Sequence, residues 1–390
     1  MKSKVYFSDA RSRDFKESKI NKIKKLLKKI GLKNIIEKDA LTAVKVHFGE
    51  RGNDTFMNPV FVRSIVDEIK SLGGKPFVTD TNTLYKGSRH NAVDHLMTAL
   101  EHGFGFATIN APIIIADGLK GGNFIECPIK GKHFKKVKIA EAIHAANAMV
   151  VLSHFKGHQL AGFGGAIKNL AMGCAPGQGK KEQHASRFHT KIENCTACGM
   201  CIAHCPEDAI SFVHKEILNP KAIVTKKENE KPKASINKDK CIGCGECLTV
   251  CKYDAIAIDF GTEMIPFNER MAEYAYGVTR DKSTKDNETK IIYINLLLNI
   301  TPDCDCASWS DAPMVPDLGI MASLDPVALD KACFDMVNAQ QGISHSHLQK
   351  NYAPGEDKFK GVWDYTVGEI QLSYAEKLGM GSLEYEIVKI

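Results

Sequence analysis

Two short runs of cysteine constrain the fold of this chain more than any other feature of its sequence. The first run, CTACGMCIAHC, contains Cys195, Cys198, Cys201 and Cys205, and the second, CIGCGECLTVC, contains Cys241, Cys244, Cys247 and Cys251. Both follow the spacing C-x2-C-x2-C-x3-C, so the runs form an internal repeat. The total of 13 cysteines is odd, and clustering at short fixed spacings indicates metal thiolates rather than a disulfide framework.

In this spacing, the first three cysteines of a run bind one [4Fe-4S] cubane and the fourth binds the cubane of the other run. The predicted ligands are Cys195, Cys198, Cys201 and Cys251 for one cluster and Cys241, Cys244, Cys247 and Cys205 for the other. Short glycine-containing loops suit this ligation because backbone N–H groups can approach the sulfur atoms. Two zinc sites are the alternative, although zinc knuckles seldom combine this spacing with a following proline.

The segment from Lys191 to Phe260 resembles the bacterial two-cluster ferredoxins. All eight ligand positions are filled, and each run is followed by a short apolar stretch, DAISFV or DAIAID, that we expect to be a strand. The second run has Lys252 where the first has Pro206, and a polar excursion at residues 214–235 separates the halves. We expect this excursion to lengthen a surface hairpin. The resemblance implies two [4Fe-4S] clusters that transfer single electrons.

Strand-like and helix-like stretches alternate on both sides of this segment. AVKVHFG, KPFVTDTN and AMVVLSHF each precede a helical stretch, which is the pattern of βα units in a parallel sheet. Farther on, KIIYINLLLNI and DLGIMASL predict buried strands, and DPVALDKACFDMVNAQ predicts a helix that begins at a proline. We expect an α/β, Rossmann-like host domain with a parallel sheet, formed by residues 1–189 and 261–390. An inserted α+β ferredoxin domain at residues 190–260 interrupts it.

A glycine-rich stretch, GHQLAGFGGAIKNLAMGCAPGQGKKEQH, follows one predicted strand at the carboxyl edge of the sheet, where open α/β sheets bind ligands. Its candidate catalytic residues are His158, Lys168 and His184. Soft thiolates favour iron or zinc, so a third metal site is expected if two loops meet at this edge. Its predicted ligands are Cys174, Cys304 and Cys306, with His184 or Asp305 as a fourth. The alternatives are free thiols, histidines that only cap or hydrogen-bond the loop, and a lysine that pairs with a buried carboxylate.

Across nearly the whole chain, these segments resemble an iron-sulfur family known as domain of unknown function 362, which supplies an expected fold. The stretch HQLAGFGGAIK is more distantly similar to the motif of the nickel-pincer lactate racemases. That similarity implies a proton-transferring His158, a cofactor-holding Lys168 and a nickel-ligating His184. The racemases lack a ferredoxin and use no thiols at this site, so the similarity favours a shared site location rather than shared chemistry.

The chain has 390 residues, of which 44% are hydrophobic and 25% charged, with a net charge of +6. This composition predicts a cytoplasmic globular protein without a membrane span or a nucleic-acid partner. We expect an iron-sulfur redox protein that passes electrons between its clusters and the sheet edge, with a redox partner protein and a small anionic substrate. Charged residues that can line this edge are His47, Glu50, Arg51, Lys86 and Arg89. The alternatives are an electron carrier or metal-delivery module without turnover, and an isomerase related to the racemases.

Overall fold

The structure, a computed structural model, describes residues 2–85, 87–185, 188–205, 207–213, 231–241, 247, 250–258, 263–284 and 288–390. Within these residues the strands are, in chain order, β1 (Ser3–Asp9), β2 (Leu41–Lys45), β3 (Lys75–Asp80), β4 (Ile113–Ile115), β5 (Phe124–Pro128), β6 (Lys136–Ala140), β7 (Ala148–His154), β8 (Lys156–His158), β9 (Gly162–Gly164), β10 (Phe188–Thr190), β11 (Ile210–Val213), β12 (Lys233–Ile236), β13 (Ile256–Ile258), β14 (Ile291–Leu297), β15 (Gly319–Ser323) and β16 (Tyr385–Lys389).

The α-helices of the same residues are α1 (Lys19–Ile30), α2 (Pro59–Ser71), α3 (Ala92–Glu101), α4 (Phe106–Ile109), α5 (Glu141–Ala145), α6 (Ala166–Ala171), α7 (Gly177–His184), α8 (Met200–Ala203), α9 (Met264–Asp281), α10 (Pro326–Asn338), α11 (Lys358–Val362) and α12 (Glu369–Lys377). The helix expected to begin at a proline is confirmed as α10. Asp325 caps it by accepting the N–H groups of Val327 and Ala328, both at 2.9 Å. No helix in the described part of the chain is both long and apolar enough to cross a membrane.

The largest sheet has eight strands in the order β16-β1-β15-β14-β7-β2-β3-β4. Neighbouring strands are parallel except where β15 pairs with β1 and β14, so β15 alone runs against the other seven. The predicted α/β class is confirmed, and the reversed β15 is the departure from a purely parallel sheet. Its cause is local, because the connection from Leu298 to Leu318 contains no helix and a parallel neighbour requires a crossover.

Helices cover both faces of this sheet and bury its central strands on two sides. Along β14, Ile291 and Tyr293 face one hydrophobic core, and Ile292 and Ile294 face the other. Residues of α6, α9, α10 and α12 complete the first core, and residues of α1, α2, α3 and α4 complete the second. Strands buried on both faces carry apolar side chains in succession, so polar functional groups concentrate at the strand ends.

Two pairs of short strands flank the cysteine runs. β10 precedes the first run and pairs antiparallel with β13, which follows the second, while β11 and β12 pair between the runs. The strands expected in DAISFV and DAIAID are confirmed as β11 and β13. The first and last strands of this segment, β10 and β13, therefore pair with each other. Most of the polar excursion, residues 214–230, lies outside the described residues, and the domain boundaries at 190 and 260 stay a prediction.

Candidate functional site

The carboxyl ends of four parallel strands open into one cleft. β2 and β3 end at Lys45 and Asp80, and β7 and β14 end at His154 and Leu297. The loops after these strands share one edge of the sheet, where the cleft encloses about 720 Å³, part of it open to solvent. Its lining includes His47, Tyr85, Arg89, His158, Lys168 and His184. The sheet edge therefore assembles side chains that are far apart in the sequence.

A buried ion pair forms the floor of the cleft. The ammonium of Lys45 lies 2.9 Å from Asp80 Oδ1 and 2.8 Å from Asn169 Oδ1, and it also donates to the carbonyl of Val46. Burial acts to raise the pKa of the Asp80 carboxyl, but Lys45 and neighbouring positive groups hold it below its usual value. The pair is therefore charged, and it ties β2, β3 and α6 together.

Arg89 is a second buried charge, and its neighbours fix its guanidinium. Nε donates to Glu50 Oε2 at 3.1 Å, and one terminal nitrogen donates to the Tyr85 hydroxyl at 2.7 Å. The other terminal nitrogen lies 3.1 Å from Nε2 of His47, whose Nδ1 accepts the N–H of Gly49 at 3.0 Å. Burial, with the charge of Arg89, holds the pKa of His47 well below its usual range, so the imidazole is neutral.

His158 begins the glycine-rich stretch, and the backbone sets its ring orientation. Its Nδ1 accepts the N–H groups of Leu160 and Ala161 at 3.1 and 3.0 Å. Burial holds the pKa of His158 well below its usual range, and the charge of Lys168 acts in the same direction. Because Nδ1 is an acceptor in a neutral ring, the single ring proton resides on Nε2. His158 can therefore exchange a proton with a bound molecule only through Nε2.

The glycine-rich stretch packs directly against the loop that carries DCDC. Gly157 donates its N–H to the carbonyl of Thr301 at 2.8 Å. A Cβ at position 157 would lie only 2.1 Å from the carbonyl oxygen of Pro302, so the close approach requires glycine. This contact determines how His158 and Cys304 are placed relative to each other.

Lys168 is presented by α6, whose first turn is held by a carboxylate of α10. Asp330 accepts the N–H groups of Ala166 and Ile167 at 2.8 and 2.9 Å. Lys168 Nζ then lies 3.4 Å from the sulfur of Cys304. The ammonium of Lys168 therefore contacts the DCDC loop, in addition to the packing of Gly157 against Pro302.

Cys304 and Cys306 form a close pair of thiols, with 2.8 Å between their sulfur atoms. A hydrogen bond from Cys306 lowers the pKa of the Cys304 thiol well below its usual range despite burial, and Lys168 acts in the same direction. The same hydrogen bond raises the pKa of Cys306. The two thiols therefore titrate as a coupled pair, and the neighbouring Lys168 favours the thiolate on Cys304.

His47 joins this pair in a group that could hold a metal ion. The ligand atoms of His47, Cys304 and Cys306 all lie within 4.8 Å of one another, the one such group found among the described residues. Cys174, the third thiol expected from the sequence, is not in it. The Cys174 sulfur instead lies 3.8 Å from the carbonyl of Asn169, and burial raises its pKa to about 11.

Of the other residues predicted at this edge, some line the cleft and others do not. His158, Lys168, His184 and Cys306 line the same cleft, and the ring of His184 lies 5.4 Å from that of Phe267. Their catalytic roles stay a prediction. Arg51 instead forms an exposed ion pair with Glu101 at 2.8 Å. Lys86 lies outside the described residues.

Sequence reasoning missed the lysine and aspartate of the cleft floor. Lys45 occurs within AVKVHF and Asp80 within FVTDTN, so each is a charged residue inside an apolar strand. Burying an unpaired charge is costly. A lysine and an aspartate inside two apolar strands could therefore have predicted a buried ion pair. Lys180, another buried residue of the lining, gave no comparable signal, because it lies in a polar helix.

The cysteines predicted to hold the first cluster lie around a second, smaller cavity. Cys195, Cys198, Cys201 and Cys251 all line a space of about 320 Å³. Three of these come from the first run and one from the second, the combination expected from the spacing. Of the cysteines predicted for the other cluster, Cys244 lies outside the described residues.

Backbone N–H groups point at cysteine sulfurs in equivalent places of the two halves. Ala209 donates to Cys205 and Ala255 donates to Cys251, each at 3.2 Å. Ala234 also donates to Cys195 at 3.4 Å. Such donors stabilise negative charge on sulfur, so these sites suit thiolates.

The protein is of the α/β class, with a mostly parallel sheet and a polar cleft at the carboxyl edge of that sheet, and its cysteine runs line a separate cavity. The chain belongs to the family described as Domain of unknown function (DUF362), whose model matches residues 42–335. Its cysteines and the His47 group are consistent with metal binding. No curated protein matches the chain significantly.

Two solved structures are similar to parts of this chain. The lactate racemase apoprotein from Thermoanaerobacterium thermosaccharolyticum is 12% identical with a TM-score of 0.32, over 72% of this chain and 58% of the racemase chain. A protein from Thermotoga maritima is 8% identical with a TM-score of 0.34, over 73% of this chain and 52% of that protein. The chain spans little more than half the length of either, and likeness of this degree carries no functional argument.

Proposed function

We propose that this protein is an iron-sulfur oxidoreductase, in which two [4Fe-4S] clusters between β10 and β13 exchange electrons with a substrate site in the cleft. The observation that carries the proposal is the cavity lined by Cys195, Cys198, Cys201 and Cys251. Cysteines of both runs meet there in the combination that a two-cluster ferredoxin uses.

The donor set of that cavity fits a cluster. All four side chains are thiols, which iron favours, and backbone N–H groups donate to the sulfurs of Cys195 and Cys251. When bound, a [4Fe-4S] cluster supplies one-electron transfer at a potential that such hydrogen bonds and solvent exposure tune. Cys205, Cys241 and Cys247, with Cys244, would hold the second cluster.

Two neighbouring aromatic side chains, Trp363 and Tyr365, are candidates for an electron path. The rings of Trp363 and Tyr365 lie 6.0 Å apart. Burial raises the pKa of the Tyr365 phenol, and the charges of Asp303, Asp364 and Asp254 act in the same direction. Asp254 is in the segment after Cys251, and Asp303 precedes Cys304. We propose that these two rings carry electrons between the first cluster site and the DCDC loop.

The cleft has the groups that a small anionic substrate needs. Lys168 and Lys180 provide positive charge, and His158 presents a neutral Nε2–H that can move a proton. The backbone contacts of His158 fix which ring nitrogen faces the cleft. Substrate binding and proton transfer would then occur beside the electron path.

Metal and sulfide analysis of anaerobically purified protein tests the clusters. We expect about eight irons and eight acid-labile sulfides per chain, and interacting spins in reduced samples. Cys198→Ser should disrupt the first cluster and lower the iron count, whereas Cys333→Ser, a buried thiol in α10, should leave it unchanged. Zinc without sulfide, or equal iron loss in both variants, would contradict the assignment.

Variants of the cleft separate an enzyme from a carrier. His158→Gln and Lys168→Met should abolish small-ligand binding or turnover and leave the cluster spectra intact. If neither change altered ligand binding or turnover, and electron transfer to a partner protein continued, the protein would be an electron carrier without a substrate.

A further inference from the structure

The DCDC loop holds two thiols in a fixed arrangement that the cluster assignment does not explain. The chain turns here, with the N–H of Ala307 donating to the carbonyl of Cys304 at 2.9 Å, and the sulfurs of Cys304 and Cys306 are 2.8 Å apart, closer than van der Waals contact between two sulfur atoms. Asp305, between them, points elsewhere and is 1% exposed. His154 Nδ1 and Lys156 Nζ bind its carboxylate at 2.9 and 3.0 Å. This buried anchor keeps the two sulfurs together.

The charges around the pair match one thiolate. Lys156 is neutralised by Asp305 at 3.0 Å, and Arg89 by Glu50 at 3.1 Å. Lys168 forms no ion pair with a carboxylate of the described residues, and its ammonium lies 3.4 Å from the sulfur of Cys304. A single negative charge on Cys304, with the proton on Cys306, therefore balances the remaining cation.

The same surroundings disfavour a metal ion in the His47 group. A neutral imidazole has one acceptor nitrogen, and that nitrogen of His47 already accepts an N–H, either of Gly49 at Nδ1 or of Arg89 at Nε2. A dication between the sulfurs and His47 would also lie beside the positive charge of Lys168. That charge repels a metal ion and favours a thiolate.

We propose that Cys304 and Cys306 form a redox-active dithiol/disulfide couple at the cleft end of the electron path. The inference rests on the proposed function for its source of electrons. Reduction breaks the S–S bond with two electrons and one proton, which leaves a thiolate on Cys304 beside Lys168 and a thiol on Cys306. Two reduced [4Fe-4S] clusters, each giving one electron, supply the reducing equivalents. Cys306 lines the cleft, so it is the sulfur that a two-electron acceptor or donor bound there would meet.

Thiol trapping on the anaerobic, cluster-containing protein tests the couple directly. The protein is equilibrated with mixtures of reduced and oxidised dithiothreitol, quenched in acid, denatured and alkylated. The mass of the proteolytic peptide that contains Cys304 and Cys306 is then measured. We expect the peptide to change from doubly alkylated to an unalkylated disulfide as the oxidised fraction rises. Lys168→Gln should shift the midpoint about tenfold toward the disulfide, because a charge-assisted contact to the thiolate is lost. Lys331→Gln, in an exposed ion pair on α10, should not shift it.

Iron counted in the same samples separates this inference from the proposed function. A doubly alkylated peptide at every ratio would overturn the dithiol couple, as would a metal retained one per chain by Cys304 and Cys306 without any disulfide. Either result, if about eight irons are present, would still support the two proposed clusters. A two-electron transition in a protein without iron would support the couple and refute the clusters as its source of electrons.

Discussion

The buried ion pair at the floor of the cleft gives a quantitative test of the site's structure. In Lys45→Met, the carboxylate of Asp80 loses the ammonium at 2.9 Å and stays fully buried. Arg89 and His95 are at 3.8 and 3.7 Å, too far for hydrogen bonds that would replace it. Removing one partner of a buried pair costs about 3–5 kcal/mol. With about 0.8 kcal/mol/K of unfolding entropy for a chain of this length, the melting temperature should fall by about 4–6 °C.

Anaerobic thermal melting followed by far-UV circular dichroism measures this change at one fixed scan rate. Lys331→Met is the matched control, because its partner Asp335 is at 2.6 Å but both side chains are about one-third exposed. We expect it to lower the melting temperature by no more than about 1 °C. The double variant Lys45→Met/Asp80→Asn should recover most of the loss, since no charge is left unpaired. Equal melting of Lys45→Met and Lys331→Met would refute the argument that a buried, charged Asp80 depends on Lys45.

Gly157→Ala should lower the melting temperature by about 1–4 °C and loosen the cleft, because the new Cβ would lie 2.1 Å from the carbonyl oxygen of Pro302. Gly122→Ala, where nothing lies within 4 Å of the added atom, is the control, and similar melting of the two variants would contradict the close contact. Burial lowers the pKa of Lys180 to about 8, below its value of about 10.4 in an unfolded chain. Between these pH values only the unfolded chain holds the proton, so the free energy of unfolding should rise with pH by up to about 3 kcal/mol. Denaturant melts from pH 8 to 10 should show this rise in the wild type and not in Lys180→Met.

The alternation of strands and helices could be predicted because each element carries its own signal. The apolar runs of β7 and β14 and the Asp-Pro start of α10 are local features, and the structure confirms them. The direction of β15 could not be predicted from its residues, since a strand buried on both faces has the same composition whether it runs parallel or antiparallel. The pairing of β1 with β16 joins the two ends of the described chain, and no local pattern encodes such a contact.

In the candidate site, too, residues within one short segment could be predicted from the sequence, whereas contacts between distant segments could not. His158, Lys168 and His184 were predictable because one glycine-rich stretch carries them, and Cys304 and Cys306 because they are two residues apart. The approach of His47 to those thiols depends on β2, β7 and β14 being neighbours in the sheet. Cys174 was expected at the metal group because its loop was predicted to emerge at the same edge of the sheet as the DCDC loop, but its side chain turns into the core instead.

The reversed strand β15 also has a consequence for how the protein is made. Among the described strands, β1 pairs only with β15 and β16, so β1 waits for partners that are synthesised about 300 residues later. At about 5–20 residues per second, that delay is about 15–60 s. Both cysteine runs leave the ribosome before β15 does, so cluster insertion can precede closure of the sheet. During that interval β1 has no strand partner, and unpaired strand edges are the surfaces most prone to wrong association.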